Sequence, residues 1–125
     1  MIFKTEIRHF KPEEFALPER LRWEMLKRLD DLREACGFAL VVTSSFRDVD
    51  KNAAVGGANN SSHCLAADGM YSGVDLQFDL GGAGRFILMR EIFRVGFNRI
   101  GVYKKHIHLD IEDRLLQQQL WVGDD

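Results

Sequence analysis

Three of the four histidines lie in two parts of this chain, each with an aspartate further along. His63 is followed at a distance by Asp75, and near the end of the sequence His106, His108 and Asp110 alternate with apolar residues. Neutral imidazole nitrogens and carboxylate oxygens are the ligands that a catalytic zinc ion uses, commonly three from the protein with a fourth position left for water. The residue types therefore predict a site for a divalent metal ion. Either two histidines with an aspartate or three histidines would supply the ligands.

The spacing in the second part indicates how the chain presents these groups. Alternate residues of a β-strand point to the same side of the sheet. His106, His108 and Asp110 would therefore share one face of a strand, while Ile107 and Leu109 would share the other face and meet the core. This pattern predicts an open metal site on the surface of a sheet whose opposite surface is buried.

Composition narrows the class of protein. The chain has 125 residues, 46% of them hydrophobic and 29% charged, with a net charge of −2. These values are typical of one globular domain, spanning residues 1–125, and give no general attraction to nucleic acid or to a membrane surface. No apolar run approaches the roughly 20 residues of a membrane span. The first ten residues carry charges and do not resemble a secretory signal, so we expect synthesis in the cytoplasm.

The elements that position the site can be predicted from apolar periodicity and turn residues. An amphipathic helix with a buried stripe should end at Gly37; the stripe comprises Leu21, Met25, Leu29, Leu32 and Cys36. A second helix should bury Phe86, Met89, Ile92 and Phe93. The predicted helices cover residues 19–36 and 85–95, and the predicted strands cover 38–43, 73–78, 99–103 and 106–111. This order predicts an α+β domain with an antiparallel sheet and helices packed on one face.

Three further segments have simpler predictions. Residues 44–60 are expected to form a loop with a helical turn at 48–54, and the tail, 112–125, a helical turn through Leu115 and Leu116. The apolar tail residues Leu120, Trp121 and Val122 would dock on the body. The two cysteines, Cys36 and Cys64, do not make a disulfide framework and are expected to pack as small apolar residues, although Cys64 follows His63 directly.

A further set of motifs surrounds the first histidine. Ser44-Ser45-Phe46-Arg47 is followed by Asn52, by Val55-Gly56-Gly57 and by Ser61-Ser62-His63; Phe97-Asn98-Arg99-Ile100-Gly101-Val102-Tyr103 leads to the final histidines, and Phe10-Lys11-Pro12-Glu13-Glu14-Phe15 opens the domain. In this order the motifs resemble the signature of the M15 metallopeptidases, zinc-dependent D-Ala-D-Ala carboxypeptidases and related endopeptidases that cut peptidoglycan stem peptides. The small phage-type subgroup is the most similar. The resemblance covers about residues 8–111 and implies a fold like that of the hedgehog proteins and DD-peptidases.

The resemblance implies a role for individual residues. His63, Asp75 and His108 match the zinc ligands, with one Zn²⁺ per chain. Arg47 matches an arginine that contacts substrate and steadies the developing oxyanion, although a surface salt bridge to Asp48 or Asp50 would also account for an arginine there. Ser61 matches the serine of the Ser-x-His motif and would brace the loop beside the substrate.

Two positions depart from the family pattern. The usual spacing places the ligand aspartate at Met70, whereas the chain has Asp68 before this position and Asp75 after it. We favour Asp75, because Gly73-Val74-Asp75 restores the strand entry after an insertion of about five residues, while Asp68 fits a turn.

The second departure concerns the general base. The family's acidic residue, three positions before the last ligand histidine, is replaced here by Lys105, which cannot accept a proton from water. Asp110 and His106 are the remaining candidates for the general base, and Asp110 could instead orient the His108 ring.

These observations predict a monomeric zinc peptidase that hydrolyses peptidoglycan stem or cross-peptides, in the manner of a phage or prophage lysis enzyme that reaches the wall after release or as part of a virion. Two other functions remain open. A catalytically inactive zinc- or peptide-binding domain would explain the missing acidic base. A metal enzyme with another substrate would use His63, His106 and His108 as a three-histidine site.

Overall fold

The computed structural model describes residues 6–56 and 61–124. The predicted motif residue Gly57 and the last residues of the predicted loop, 58–60, lie outside these ranges. The described helices are α1 (Trp23–Cys36), α2 (Val49–Ala54) and α3 (Gly81–Arg94), and short 3₁₀ turns occupy Pro12–Glu14 and Pro18–Arg20. The strands are β1 (Val42–Ser44), β2 (Gly73–Gln77), β3 (Arg99–Val102), β4 (His106–Asp110) and β5 (Gln119–Val122).

The five strands form one mixed sheet in the order β1-β2-β4-β3-β5. Every neighbouring pair is antiparallel except β3 and β5, which run parallel at one edge. The α+β class and the single domain are as predicted, and the sheet is antiparallel apart from that edge. Among the described residues, no helix is long and apolar enough to cross a membrane.

The core lies on one face of this sheet. Leu26 and Leu29 of α1 and Ile92 of α3 belong to a single buried cluster with Ile107 and Leu109 of β4. Each of these side chains is fully buried, and burying such a side chain contributes roughly 1.5–3 kcal/mol. Because strand side chains alternate, this packing directs the intervening polar residues of β4 to the opposite face.

The first helix agrees with its predicted pattern. Leu21, Met25, Leu29 and Leu32 are buried, and Cys36 is partly buried against the core. The helix itself begins at Trp23 rather than at residue 19, because the chain before it forms the 3₁₀ turn that starts at Pro18. It ends at Gly37, whose φ of 75° is readily adopted by glycine.

The second long helix was predicted less well. It begins at Gly81, inside a glycine-rich segment and four residues before the predicted start at residue 85. Its buried residues are Leu88, Glu91 and Ile92, and the predicted core residues Phe86 and Phe93 are 66% and 56% exposed. The predicted stripe was therefore wrong by about one residue in register, and only its member Ile92 is fully buried.

The remaining differences lie near the two edges of the sheet. The first strand covers only Val42–Ser44, which is shorter than the predicted 38–43 and ends one residue later. The tail forms no helical turn at Leu115 and Leu116; it continues instead into β5, which pairs with β3 from Arg99↔Gln119 to Val102↔Val122. All three residues predicted to dock, Leu120, Trp121 and Val122, belong to this strand, but Leu120 and Val122 are 52% and 77% exposed and only Trp121 is partly buried.

Candidate metal centre

The face of the sheet opposite the core carries the candidate site. Pairing of β2 with β4 places Asp75 directly opposite His108. His63 reaches them from the loop before β2, where the Ser62 carbonyl accepts hydrogen bonds from the backbone N–H groups of Ser72 and Gly73, each 3.0 Å long. A side chain at Gly73 would collide with Ser62. This close approach fixes the loop that carries His63 against the start of β2.

Three side-chain atoms converge at the centre of the site. His63 Nε2 lies 3.2 Å from Asp75 Oδ1 and 3.2 Å from His108 Nδ1, and His108 Nδ1 lies 2.9 Å from Asp75 Oδ1. The ligand atoms of a tetrahedral zinc ion with bonds of about 2.0–2.1 Å are roughly 3.3 Å apart. The observed triangle is therefore close to the size that a zinc ion needs.

The outer nitrogens of both rings are held by acceptors. His63 Nδ1 lies 2.6 Å from the carbonyl oxygen of Ser45, and His108 Nε2 lies 2.7 Å from Asp110 Oδ2. A carbonyl and a carboxylate accept hydrogen bonds, so each of these nitrogens must carry a proton. In the neutral rings, the lone pairs then point inward beside the Asp75 carboxylate. Three acceptors meeting at one point need a cation between them, and the donor set fits a divalent metal.

Asp75 is oriented by a neighbouring arginine. Arg47 donates from Nη2 to Asp75 Oδ2 at 3.0 Å, which leaves Oδ1 facing the two histidines. Burial alone would raise the pKa of Asp75, but hydrogen bonds and charge from His108 and His63 lower this pKa well below its ordinary value. The carboxylate is thus ionised and ready to serve as a ligand. Asp68, the alternative ligand, pairs with Arg22 at an exposed position and is not brought to the site.

Arg47 has no salt bridge to Asp48 or Asp50, the partners that a surface role would require. Besides Asp75, its guanidinium donates to Ser44 Oγ at 3.1 Å and to the side-chain oxygen of Asn52 at 3.4 Å. The Ser-aromatic-Arg motif and Asn52 therefore converge on the orientation of one carboxylate. The structure places Arg47 beside the candidate metal position and on the wall of the cavity.

Asp110 lies behind His108 and is only 1% exposed. Its Oδ2 faces His108 Nε2 and accepts from Ser62 Oγ at 3.3 Å, while Oδ1 accepts from Arg99 Nε at 2.8 Å and from the backbone N–H of Glu112 at 2.9 Å. Burial would raise the pKa of Asp110, but its hydrogen bond from His108 and the nearby charges lower it. A carboxylate with both oxygens engaged and so little exposed surface is suited to holding the His108 ring.

His106 lies on the same face and stays open to the cavity. Its side chain is 30% exposed, and Nε2 lies 4.0 Å from Asp75 Oδ2. It does not join the group of inward-facing ligand atoms, which comprises His63, Asp75 and His108 among the described residues. The structure therefore favours the two-histidine, one-aspartate ligand set over the three-histidine alternative.

The remaining candidates occupy supporting positions. Ser61 Oγ accepts from the His63 backbone N–H at 3.1 Å and lines the cavity, so it braces the loop. Cys64 is buried, and burial raises the pKa of its thiol, which agrees with a packing role. Lys105, at the family's base position, is exposed in the β3–β4 turn. His9 is paired with Glu34 and lies apart from the site.

Several residues at the site received no site role from the sequence, among them Arg99, Tyr103 and Trp121. Together with the residues above they line a cavity of about 680 Å³, which is in the range that binds small ligands. Arg99 and Gly101 alternate on β3 and so share the site face, a signal that was readable in the sequence. Trp121 could not be placed, because its position depends on the parallel pairing of β5 with β3.

An α+β domain whose sheet presents two histidines and an aspartate beside a cavity defines a candidate metal-dependent hydrolase. A family model described as Peptidase M15 matches residues 8–110. The chain therefore belongs to the M15 peptidase family, whose members are zinc-dependent. No curated protein sequence matches the chain. Membership supports a metallopeptidase acting on a peptide substrate, with His63, Asp75 and His108 able to hold the metal ion.

Proposed function

We propose that this protein is a zinc peptidase that hydrolyses peptidoglycan stem or cross-peptides, as a D-Ala-D-Ala carboxypeptidase or as an endopeptidase. The observation that carries the peptidase is the convergence of His63, Asp75 and His108, each pair of ligand atoms 2.9–3.2 Å apart, beside a cavity of about 680 Å³. The peptidoglycan substrate rests on the resemblance of the flanking motifs to the small phage-type subgroup. The proposal that it acts on the wall during phage lysis rests on the same resemblance.

The residues around the ligands divide the remaining tasks. Zinc held here would supply a Lewis acid and lower the pKa of a water molecule to about 7. Arg47 holds Asp75 through Oδ2, and its position beside the cavity suits contact with a substrate oxyanion. Asp110 keeps the proton on His108 Nε2, so that Nδ1 faces inward.

His106 is the proposed proton acceptor, because it is the titratable side chain beside Asp75 that remains partly exposed to the cavity. Its Nε2 can take a proton from water and return it to the leaving amine. Among the described residues that line the cavity, the only carboxylates are Asp75 and Asp110, and both are held by other groups.

The same observation favours a second candidate function, a zinc- or peptide-binding domain without hydrolytic activity. Lys105 replaces the family's acidic base, and no free carboxylate from the described residues stands in its place. If His106 cannot replace that base, the site would bind zinc and peptide without cleavage.

Digestion of purified peptidoglycan separates these functions. Zinc-loaded protein, metal-free protein and a His108→Ala variant would be incubated with the wall material, and the released fragments identified by mass. Loss of terminal D-Ala would establish a carboxypeptidase, and cut stem or cross-peptides an endopeptidase, in the zinc-loaded sample alone. Intact wall after incubation with protein that holds one zinc per chain would overturn the peptidase proposal and favour the binding domain.

A further inference from the structure

The C-terminal strand brings an aromatic residue into the site from outside the family match, which ends at residue 110. Trp121 of β5 crosses over Gly101 of β3, where a Cβ would lie only 2.5 Å from Trp121 Nε1. The indole therefore needs a residue without a side chain beneath it. Its ring lies 5.7 Å from the His108 ring, and the Arg99 guanidinium lies 5.3 Å from it on a cation–π contact. Trp121 thus forms a wall of the cavity beside a candidate metal ligand.

The indole also fixes a second aromatic side chain. Trp121 Nε1 donates a hydrogen bond of 3.0 Å to the hydroxyl oxygen of Tyr103. The Tyr103 ring stacks on His106 with a centroid distance of 4.3 Å and an interplanar angle of 9°. The phenol is therefore held from two directions, by a stacked ring and by a donor at its oxygen.

This hydrogen bond decides what the phenol can do. An indole N–H is only a donor, so the Tyr103 oxygen acts as the acceptor and keeps its own proton available to donate. Tyr103 lines the same cavity as Arg47 and His106. A hydroxyl of fixed orientation at the wall of a peptide site can donate to the carbonyl oxygen of a bound peptide, and such a donor stabilises negative charge that develops there during hydrolysis.

We propose that Tyr103 is a catalytic hydrogen-bond donor to the peptide substrate and that Trp121 is the residue that positions it. This inference rests on the proposed peptidase function. It makes the C-terminal strand a part of the active site rather than a structural addition to the sheet. The metal ligands and the bond that is cleaved remain those of the proposed function.

Two conservative variants test the pair. Tyr103→Phe removes the hydroxyl and keeps the stacked ring, and Trp121→Phe keeps an aromatic ring and removes the indole N–H. Loss of a donor to a developing oxyanion lowers kcat by about 100- to 1,000-fold, so we expect a fall of this size for Tyr103→Phe, with little change in KM or in zinc affinity. Trp121→Phe should lower kcat less, by about 10-fold. Because Trp121 acts through the hydroxyl, the double variant should be no slower than Tyr103→Phe alone.

The reverse pattern would overturn the proposal. Additive effects in the double variant would show that Trp121 acts independently of the hydroxyl, and an unchanged kcat in Tyr103→Phe would show that the hydroxyl plays no part. A loss of zinc affinity equal to the loss of activity would show that the wall only maintains the metal site.

An NMR measurement that does not depend on peptide hydrolysis tests the inference separately from the proposed function. The chain has two tryptophans, so the indole N–H signal of Trp121 in an NMR spectrum can be identified by its absence in Trp121→Phe. We expect this signal to shift in Tyr103→Phe, and the wild-type signal to shift when a peptidoglycan stem peptide is added. If peptidase activity is absent and both shifts occur, the proposed function fails while the placement of the pair in a peptide site stands. If the Trp121 N–H signal shifts neither in Tyr103→Phe nor on addition of the stem peptide, the inference is overturned.

Discussion

Both faces of the β2–β4 strand pair contain buried side chains, yet they are built from opposite kinds of side chain. On the inner face Val74, Ile107 and Leu109 are fully buried among other apolar groups. On the outer face Asp75 is 5% exposed and His108 is 9% exposed, although both carry polar atoms. Burial of the apolar face drives folding, because it removes hydrocarbon surface from water.

Burial of the polar face has a different energetic consequence. Removing a charged group from water costs several kcal/mol, and a buried ion pair recovers this cost only when its geometry is good. The outer face meets the requirement through a chain of contacts from Arg47 to Asp75 and from His108 through Asp110 to Arg99. Such a network is weak evidence for stability and good evidence for a site. The two faces should therefore respond differently to substitution.

The largest difference is expected in metal binding. Changing residues that only orient metal ligands lowers affinity by about 10- to 100-fold, so replacing a ligand itself in Asp75→Asn should lower zinc affinity by more than about 100-fold. Asp68→Asn is the matched control: Asp68 is half exposed and pairs with Arg22, and its substitution should leave zinc affinity unchanged. Competition with a chromophoric chelator measures both. Loss of affinity in the Asp68 variant instead would identify that residue as the carboxylate ligand.

On the inner face the expected effect is on folding. Leu109→Ala removes a fully buried side chain and should lower the free energy of unfolding by about 2–5 kcal/mol. His106→Ala, on the outer face of the same strand, should change it by less than about 1 kcal/mol, because this side chain is partly exposed. Urea denaturation of metal-free protein gives both values. Equal losses would mean that the outer face contributes as much to folding as the core does.

A smaller effect is expected from pH. Asp75 and Asp110 have lowered pKa values, so their stabilising contribution is complete above their ordinary pKa of 3.8 and is lost as the pH falls below it. His108 has a raised pKa, through its hydrogen bonds to Asp110 and Asp75 despite burial. Its contribution is complete below the ordinary value of 6.5 and is lost as the pH rises above it. Metal-free protein should therefore be most stable between about pH 4 and pH 6.5.

Zinc should change the dependence of stability on pH only above about pH 6.5. A metal ion takes the place of a proton between the ligands, so the loss of stability above pH 6.5 should disappear in zinc-saturated protein. Denaturant midpoints measured against pH, with chelator and with zinc, test both statements. A metal-free profile that rises steadily from pH 6 to pH 8 would contradict the raised pKa of His108.

The sequence predicted the outer face of β4 and the position of α1 because each depends on a local pattern. Alternation from His106 to Asp110 defines two faces whatever the strand pairs with, and the preference for Asp75 over Asp68 followed from its strand-like setting. The site residues that were missed depend on distant contacts. Trp121 reaches the cavity only because β5 pairs parallel to β3, at a separation of about twenty residues along the chain. No local pattern carries that information.

Helix α3 shows a different limit. Its sequence holds two overlapping apolar stripes, one through Phe86 and Phe93 and the other through Leu88 and Ile92. Both stripes have the spacing of a helix, so periodicity does not distinguish them. The prediction placed the large aromatic residues in the core, and this was wrong. The start of the helix was missed for a separate reason, because Gly81, Gly82 and Gly84 each have a low helix propensity. Leu88 and Ile92 belong to the buried core cluster, and α3 packs against α1, so tertiary contact and not periodicity selects the buried stripe.

The smallest expected effect comes from alanine substitutions at two adjacent positions of α3, which test whether the helix packs through Leu88 and Ile92. Phe93→Ala removes a side chain that is 56% exposed and introduces a better helix former, so the free energy of unfolding should change by no more than about 0.5 kcal/mol. Ile92→Ala leaves a cavity in the core and should cost about 2–5 kcal/mol. Thermal or urea unfolding of the two variants measures the contrast. If Phe93→Ala proved as destabilising as Ile92→Ala, then α3 would pack through the aromatic stripe. The core on the inner face of the sheet would then be built from Phe86 and Phe93 instead of Leu88 and Ile92.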